Sequence, residues 1–222
     1  LGLNKSIIAI KEDLTNVNIK RKITYFDDGL RHSYYSFKNN LRHGKYANWS
    51  KKNHIMQNGE LEQAHFLAQT GFYKRGKLHG LSKSYFPNGK VLWKGKYENG
   101  KVEGLVLEYY SNGELHREVN YLNGNKHGKY YSYFFSGDTE IEGEYYHGIR
   151  IGDWKFSNSV QNVTEKIKYN DGIAWQGTYT IWNGTKIKIE CSDDLVIPVL
   201  FYNEGVLSHA YRDEKLEIKS CD

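Results

Sequence analysis

From residue 73 onward the chain alternates between two kinds of position. Tyrosine, phenylalanine and glycine recur on one set of alternate residues; lysine, glutamate, histidine, leucine and further tyrosines occupy the other. A period of two is the mark of a β-strand whose faces differ. The runs last about seven to nine residues, too short and too often broken by glycine for helices. Asn88-Gly89, Asn99-Gly100, Asn112-Gly113 and Asn123-Gly124 separate them. Asn-Gly is a strong hairpin signal, because a type I′ turn needs positive φ at both central residues. An antiparallel β-meander is expected.

The punctuation is itself periodic. Gly76, Gly100, Gly124 and Gly148 stand 24 residues apart, with Gly172 continuing the series. Gly80, Gly104, Gly128 and Gly152 keep the same step, and Tyr73, Tyr97, Tyr121, Tyr145 and Tyr169 precede the first row by three. Gly89, Gly113 and Gly137 form a third row. Such a period marks an array of one repeated supersecondary unit, here two strands long. Weaker units lie outside: Gly29 and Asn40 are 11 apart, with Phe37 at the tyrosine position. From Asn40 to Gly76 the separation is 36, one period plus 12, which places an insertion near residues 51–69. The chain thus divides into an N-terminal capping segment 1–20, a repeat array 21–190 carrying that insertion, and a C-terminal capping segment 191–222.

Closing the turns predicts the register. Phe86 meets Val91, Ser84 meets Trp93, Ser82 meets Gly95 and Gly80 meets Tyr97; the next hairpin sets Tyr97 against Val102 and Gly95 against Gly104. These residues share one face, with the aromatic columns Tyr73, Tyr97, Tyr121, Tyr145 and Phe86, Tyr110, Phe134 beside the glycine rows. Rings lying over cross-strand glycines would fill the missing side-chain volume, so this is the structural face. The other face carries Lys83, Tyr85, Lys94, Leu107, Tyr109, His116 and Tyr133, with Leu92, Lys96, Glu103 and Glu118 among them. Its identities change from unit to unit except for a tyrosine column at 85, 109 and 133. That pattern suits a partner-binding surface, though an ordinary solvated sheet face with β-sheet tyrosines accounts for it more simply.

Composition narrows the chemistry. Apolar residues make up 39% of the 222, with one Met but Tyr 19, Phe 9 and Trp 5, so aromatics are the main burial material. A mean hydropathy of −0.73 agrees. The net charge of +5 arises from 31 basic and 26 acidic residues mixed along the chain, without the basic stripe that nucleic-acid binding requires. No run approaches the roughly 18 apolar residues of a membrane-spanning helix.

His43-Gly44, His79-Gly80 and His127-Gly128 recur, but each repeat advances the sheet by roughly 9 to 10 Å, too far for one zinc ion to gather that row. Nucleophile elbows, His-Glu-x-x-His and phosphate loops are missing from the sequence. No catalytic residue, metal or cofactor is expected. Cys191 and Cys221 read equally as one disulfide or as two free thiols. The chain opens at Leu1, as a removed export signal or a trimmed start would leave it. The expectation leans towards a bacterial periplasm or cell surface, with the cytoplasm as the alternative.

The phrases GKYENGKVEGLVLEYYSNGEL and VNYLNGNKHGKYYSYFFSGDTE resemble the MORN family (membrane occupation and recognition nexus), and more closely its bacterial MORN-repeat variant. The family's Tyr-x-Asn-Gly-Lys-x-x-Gly corresponds to Tyr97, Asn99, Gly100, Lys101 and Gly104, and its second Tyr-x-Asn-Gly to Tyr110 or Tyr109, Asn112 and Gly113. The likeness is strongest over residues 71–152 and extends to 21–44 and 165–205. It implies an elongated, twisted single-layer sheet of hairpins. It also implies a non-catalytic protein-binding module, an immunity or antitoxin protein that occludes a cognate toxin or effector. Peripheral binding to anionic lipid and a structural envelope scaffold are the alternatives, the first disfavoured by the mild, dispersed charge.

Overall fold

The computed structural model describes residues 8–12, 19–55, 61–158, 163–180, 186–192 and 195–196. Among them every regular element is a β-strand, and no helix is long and apolar enough to cross a membrane. The chain falls into two compact units: residues up to Lys126 together with Tyr133–Asp138, and His127–Ser132 together with residues from Thr139 onward.

The first unit contains β1 (Ile8–Glu12), β2 (Ile19–Tyr25), β3 (Arg31–Lys38), β4 (Leu41–Ile55), β5 (Leu61–Lys74), β6 (Lys77–Leu78), β7 (Gly80–Tyr85), β8 (Val91–Glu98), β9 (Lys101–Tyr109) and β10 (Leu115–Leu122). Each strand pairs antiparallel with its sequence neighbour, except that β6 and β7 both pair with β5. Strand β11 (Asn125–Tyr133) is divided between the units. The second unit continues as β12 (Thr139–Tyr146), β13 (Ile149–Asn158), β14 (Val163–Asn170), β15 (Ile173–Thr180), β16 (Lys186–Ser192) and β17 (Leu195–Val196), again paired in order. The expected all-β antiparallel meander is the observed fold. Pairing begins at β1, inside the segment expected as an N-terminal cap.

Register follows the turn-based prediction at Gly80 opposite Tyr97, Ser82 opposite Gly95, Ser84 opposite Trp93 and Tyr97 opposite Val102. It departs at Gly104. Lys96 faces Glu103 while Lys94 faces Leu107, so a bulge over residues 104–106 opposes Gly95. Val106, not Gly104, therefore lands on Gly95: a side chain added there would lie 2.9 Å from its Cγ2 and 2.8 Å from the Trp93 ring. Gly104 is needed for backbone conformation, at φ +74° with nothing within 4 Å of an added Cβ. Gly44 (φ +99°) and Gly152 (φ +64°) occupy the same kind of bulge. The glycine rows are thus not general sites of filled volume, and among the described residues aromatic covering is found at Gly71, Gly95 and Gly143.

Those three glycines belong, in each unit, to a buried row whose members from Gly71 onward stand at alternating steps of 11 and 13 residues, which the turn pattern alone did not single out. In the first unit it runs through Tyr46, Gly71, Ser82, Gly95, Val106 and Val119, linked by pairing or by direct contact at each step. In the second it contains Tyr130, Gly143, Trp154 and Ile167, with the Trp154 ring filling the space a Gly143 side chain would take. Ser82, Val106, Val119 and Tyr46 are buried, and Trp154 is wholly so. Small residues let neighbouring rings fold down over the row, so each unit makes its dry interior from one face of its own strands.

Two turn types alternate. Asn99-Gly100 and Asn123-Gly124 have positive φ at both residues, as do Arg75-Gly76, His147-Gly148 and Asp171-Gly172, the expected type I′ geometry. At Asn88-Gly89 and Asn112-Gly113 only the glycine has positive φ. There Phe86 closes on Lys90 and Tyr110 on Glu114, with Gly89 and Gly113 donating back to Phe86 and Tyr110. These are wider loops built on a type I turn with a left-handed glycine, correcting the type I′ expectation. The change also shifts the strand ends, so Val91 pairs with Tyr85 and not with Phe86. The asparagines serve otherwise: Asn88 Oδ1 accepts from Lys90 N at 3.1 Å and Asn112 Oδ1 from Glu114 N at 2.9 Å.

The tight turns are also joined to one another. Gly76 N–H donates to Arg42 O, Gly100 N–H to Leu78 O and Gly124 N–H to Val102 O in the first unit, and Gly172 N–H to Arg150 O in the second, all at 2.8 to 3.0 Å. Every acceptor lies two residues beyond the preceding tight turn. These clasps between neighbouring hairpins use backbone groups only.

Candidate partner-binding face

The residues singled out in sequence sit mainly where alternation put them. Lys83 lies opposite Lys94, Lys94 opposite Leu107, and Leu107 opposite Glu118, so they form one row across β7 to β10 on the face away from Ser82 and Gly95. Thr70 extends the row on the β5 side. Tyr85 and Tyr109 lie towards the wide loops, opposite Val91 and Leu115. The Tyr85 hydroxyl is 3.2 Å from Thr70 Oγ1, and Tyr133 donates to Glu118 Oε1. His116 departs from the group. It occupies a bulge in β10, and its ring packs 4.4 Å from Tyr110 at the loop edge rather than on the lysine row.

These side chains are all partly buried, whereas Leu81, Leu92 and Leu105 on the same strands stand exposed. Lys83, Lys90, Val91, Lys94 and Tyr109 line an open groove whose rim is formed by Gly89 and Gly113. Lys94 Nζ stands 5.2 Å from the Tyr109 ring centre, a cation held over a π face. Lys90 Nζ donates to Asn112 O, bridging two wide loops at the groove's end.

The insertion is a hairpin arm. β4 and β5 stay paired from Gly44 opposite Tyr73 out to Ile55 opposite Leu61, so the extra residues lengthen both strands. The arm's base is tied to the loop before β3. Lys51 pairs with Asp28 and lies 4.5 Å from the Phe26 ring centre, while His65 Nε2 lies 2.7 Å from Arg31 O. The hydrogen bond from Lys51 holds the Asp28 carboxyl below its ordinary range.

On the structural face, burial pushes the Tyr46 and Tyr97 phenols above theirs. There Arg42 lies 4.3 Å from the Tyr35 ring centre and bonds the Tyr73 hydroxyl at 3.2 Å. Arg150 repeats this on Trp154 and the Tyr169 hydroxyl. Of the three recurrent histidines, His79 has its Nδ1 buried without a hydrogen-bond partner among the described residues. The other two cap turns: His43 Nδ1 accepts from Arg75 N and His127 Nδ1 from His147 N, each at 3.4 Å. Glu103 does the same for Asn123 N. Among the described residues no three His, Cys, Asp or Glu side chains are gathered as a metal site would need. Cys221 lies outside the described residues, so a bond to Cys191 is outside them too.

No protein-family model matches the chain, and no curated protein matches it either.

Proposed function

We propose that this chain is a non-catalytic protein-binding module, a bacterial immunity or antitoxin protein that neutralises a cognate toxin or effector by covering it. One observation carries the binding part. The face opposite the buried row presents tyrosines, exposed leucines and a pair of adjacent lysines that the sheet does not neutralise. Like charges set directly opposite each other weaken a sheet, so a partner is a reason for keeping them. Presented tyrosines supply contact area at low conformational cost. The toxin as partner rests on the resemblance to bacterial MORN-repeat proteins. Occlusion needs a rigid surface and no chemistry, and hydrogen-bonded hairpins provide one.

The test is co-expression with the product of the gene adjoining its own. A stable complex, with cells protected from that product, is the expected result; no complex and no protection would sink the proposal. Sedimentation with vesicles of anionic lipid separates the membrane reading, since binding to them at low salt in place of the protein would favour it instead.

A further inference from the structure

The lysine row differs from its surroundings in charge compensation. One row towards the tight turns, Lys96 faces Glu103, so the register there sets opposite signs against each other, with the Glu103 carboxylate bonded to Asn123 N. Arg117 reaches Glu108 at 3.3 Å. Lys83 and Lys94 have no such partner: they face each other, and the row continues to neutral Thr70 on one side and neutral Leu107 on the other. Glu118, the next residue along, already accepts from the Tyr133 hydroxyl. Among the described residues, neither lysine is ion-paired. Directly opposed side chains have Cβ atoms about 4.5 to 5.5 Å apart, close enough for one carboxylate to span two ammonium groups with an oxygen on each. The groove adds a third ammonium at Lys90, the Tyr109 ring and the Val91 side chain.

We propose that this groove takes an acidic segment of a partner protein, with an Asp or Glu carboxylate bridging Lys83 and Lys94 and the adjoining chain lying on Tyr109 and Val91. The inference deepens the protein-binding reading and rests on it. A protein segment fits better than an anionic bilayer for a reason on the same face. Glu103 and Glu118 flank the lysines within a row or two, and a planar leaflet would meet them together with the lysines. A single extended segment that leaves the two lysines over Tyr109 and Val91, towards the wide loops, runs away from both glutamates. Three lysines also fall short of the basic clusters of four to eight that hold proteins to anionic lipid. Partial burial between the wide loops lowers the local dielectric, which makes a bridging carboxylate worth more than an exposed surface pair.

The probe is poly-L-glutamate, titrated into the full chain at low salt and followed by intrinsic tryptophan fluorescence or calorimetry. Vesicles of phosphatidylserine and inorganic phosphate form the other arms. The expected result is saturable binding of poly-L-glutamate that falls at least tenfold in Lys83→Gln and in Lys94→Gln, disappears in Lys94→Glu and is unchanged in Lys129→Gln. Carbodiimide coupling of bound polymer should map to Lys83 or Lys94. Equal binding by wild type and all variants, or binding of the vesicles or phosphate alone, would overturn the inference.

The two readings fail separately. If the neighbouring gene product binds wild type and Lys83→Gln/Lys94→Gln equally well, the acidic occupant is wrong and the protein-binding reading stands. If no complex forms with wild type, the proposed function fails whatever the polymer does.

Discussion

The hairpins of β7 to β10 and those of β12 to β14 share turns, bulges and the 11/13 row, yet they handle their interior and their charges in opposite ways. In the first, the row is made of small or branched residues, Ser82, Gly95, Val106 and Val119. In the second it is dominated by the wholly buried Trp154, seated on Gly143 and ringed by Tyr130, Tyr145 and Tyr169 at 5.0 to 6.0 Å between ring centres. The charged residues invert the contrast. Lys155 also faces a lysine, Lys166, but is bonded to Glu142, Lys129 is bonded to Glu144, both at 2.9 Å, and Asp153 faces Lys168, whereas Lys83 and Lys94 face each other with no ion pair among the described residues. The fold therefore tolerates a neutralised face, and the uncompensated lysines are not imposed by it.

The largest expected effect breaks the interior half of this comparison. Trp154→Ala removes the filled centre of the second unit and should cost about 3 to 5 kcal/mol in equilibrium denaturation. A loss below about 1 kcal/mol would show that Trp154 does not anchor that unit. The next effect separates glycines kept for space from those kept for conformation. Gly95→Ala should cost about 1 to 3 kcal/mol by overpacking against Trp93 and Val106, with Gly95→Asn no better. Gly104→Ala should cost about 1 to 2 kcal/mol through its positive φ, and Gly104→Asn clearly less, because asparagine accepts the left-handed region. Identical behaviour of the two sites would erase the distinction.

The smallest effect tests the charge half. Glu142→Gln should lower stability by about 0.2 to 1 kcal/mol, while Lys94→Gln should raise it or leave it level, since it relieves a like-charge pair. Melting curves at low salt read both signs, and a fall in each would show that the contact of Lys94 with the Tyr109 ring outweighs its repulsion from Lys83.

Much of this was legible in the sequence, for identifiable reasons. Ser82 opposite Gly95 and Gly80 opposite Tyr97 follow from turn position and a period of two, and neither needs knowledge of distant residues. The misreading at Asn88-Gly89 came from treating every Asn-Gly as one turn. Pro87 is the distinguishing signal: its fixed φ suits the second position of a type I turn, which leaves Asn88 in the next position with its side chain free to bond Lys90 N. The expected pairing of Gly104 with Gly95 fails, because a bulge shows only when strands are paired and counted. The isolation of Lys83 and Lys94 was hidden for a similar cause. Charge compensation depends on cross-strand neighbours at Thr70 and Leu107, which are 13 residues from Lys83 and 13 from Lys94 in the chain.

The backbone clasp between successive tight turns has an evolutionary consequence. Since Gly100 and Gly124 reach the carbonyls of Leu78 and Val102 without using any side chain, the joint between hairpins does not depend on which residues the hairpins carry. A gene segment encoding one period can be copied in tandem or excised with its joints intact, so such a chain can lengthen or shorten in whole units while its faces diverge freely.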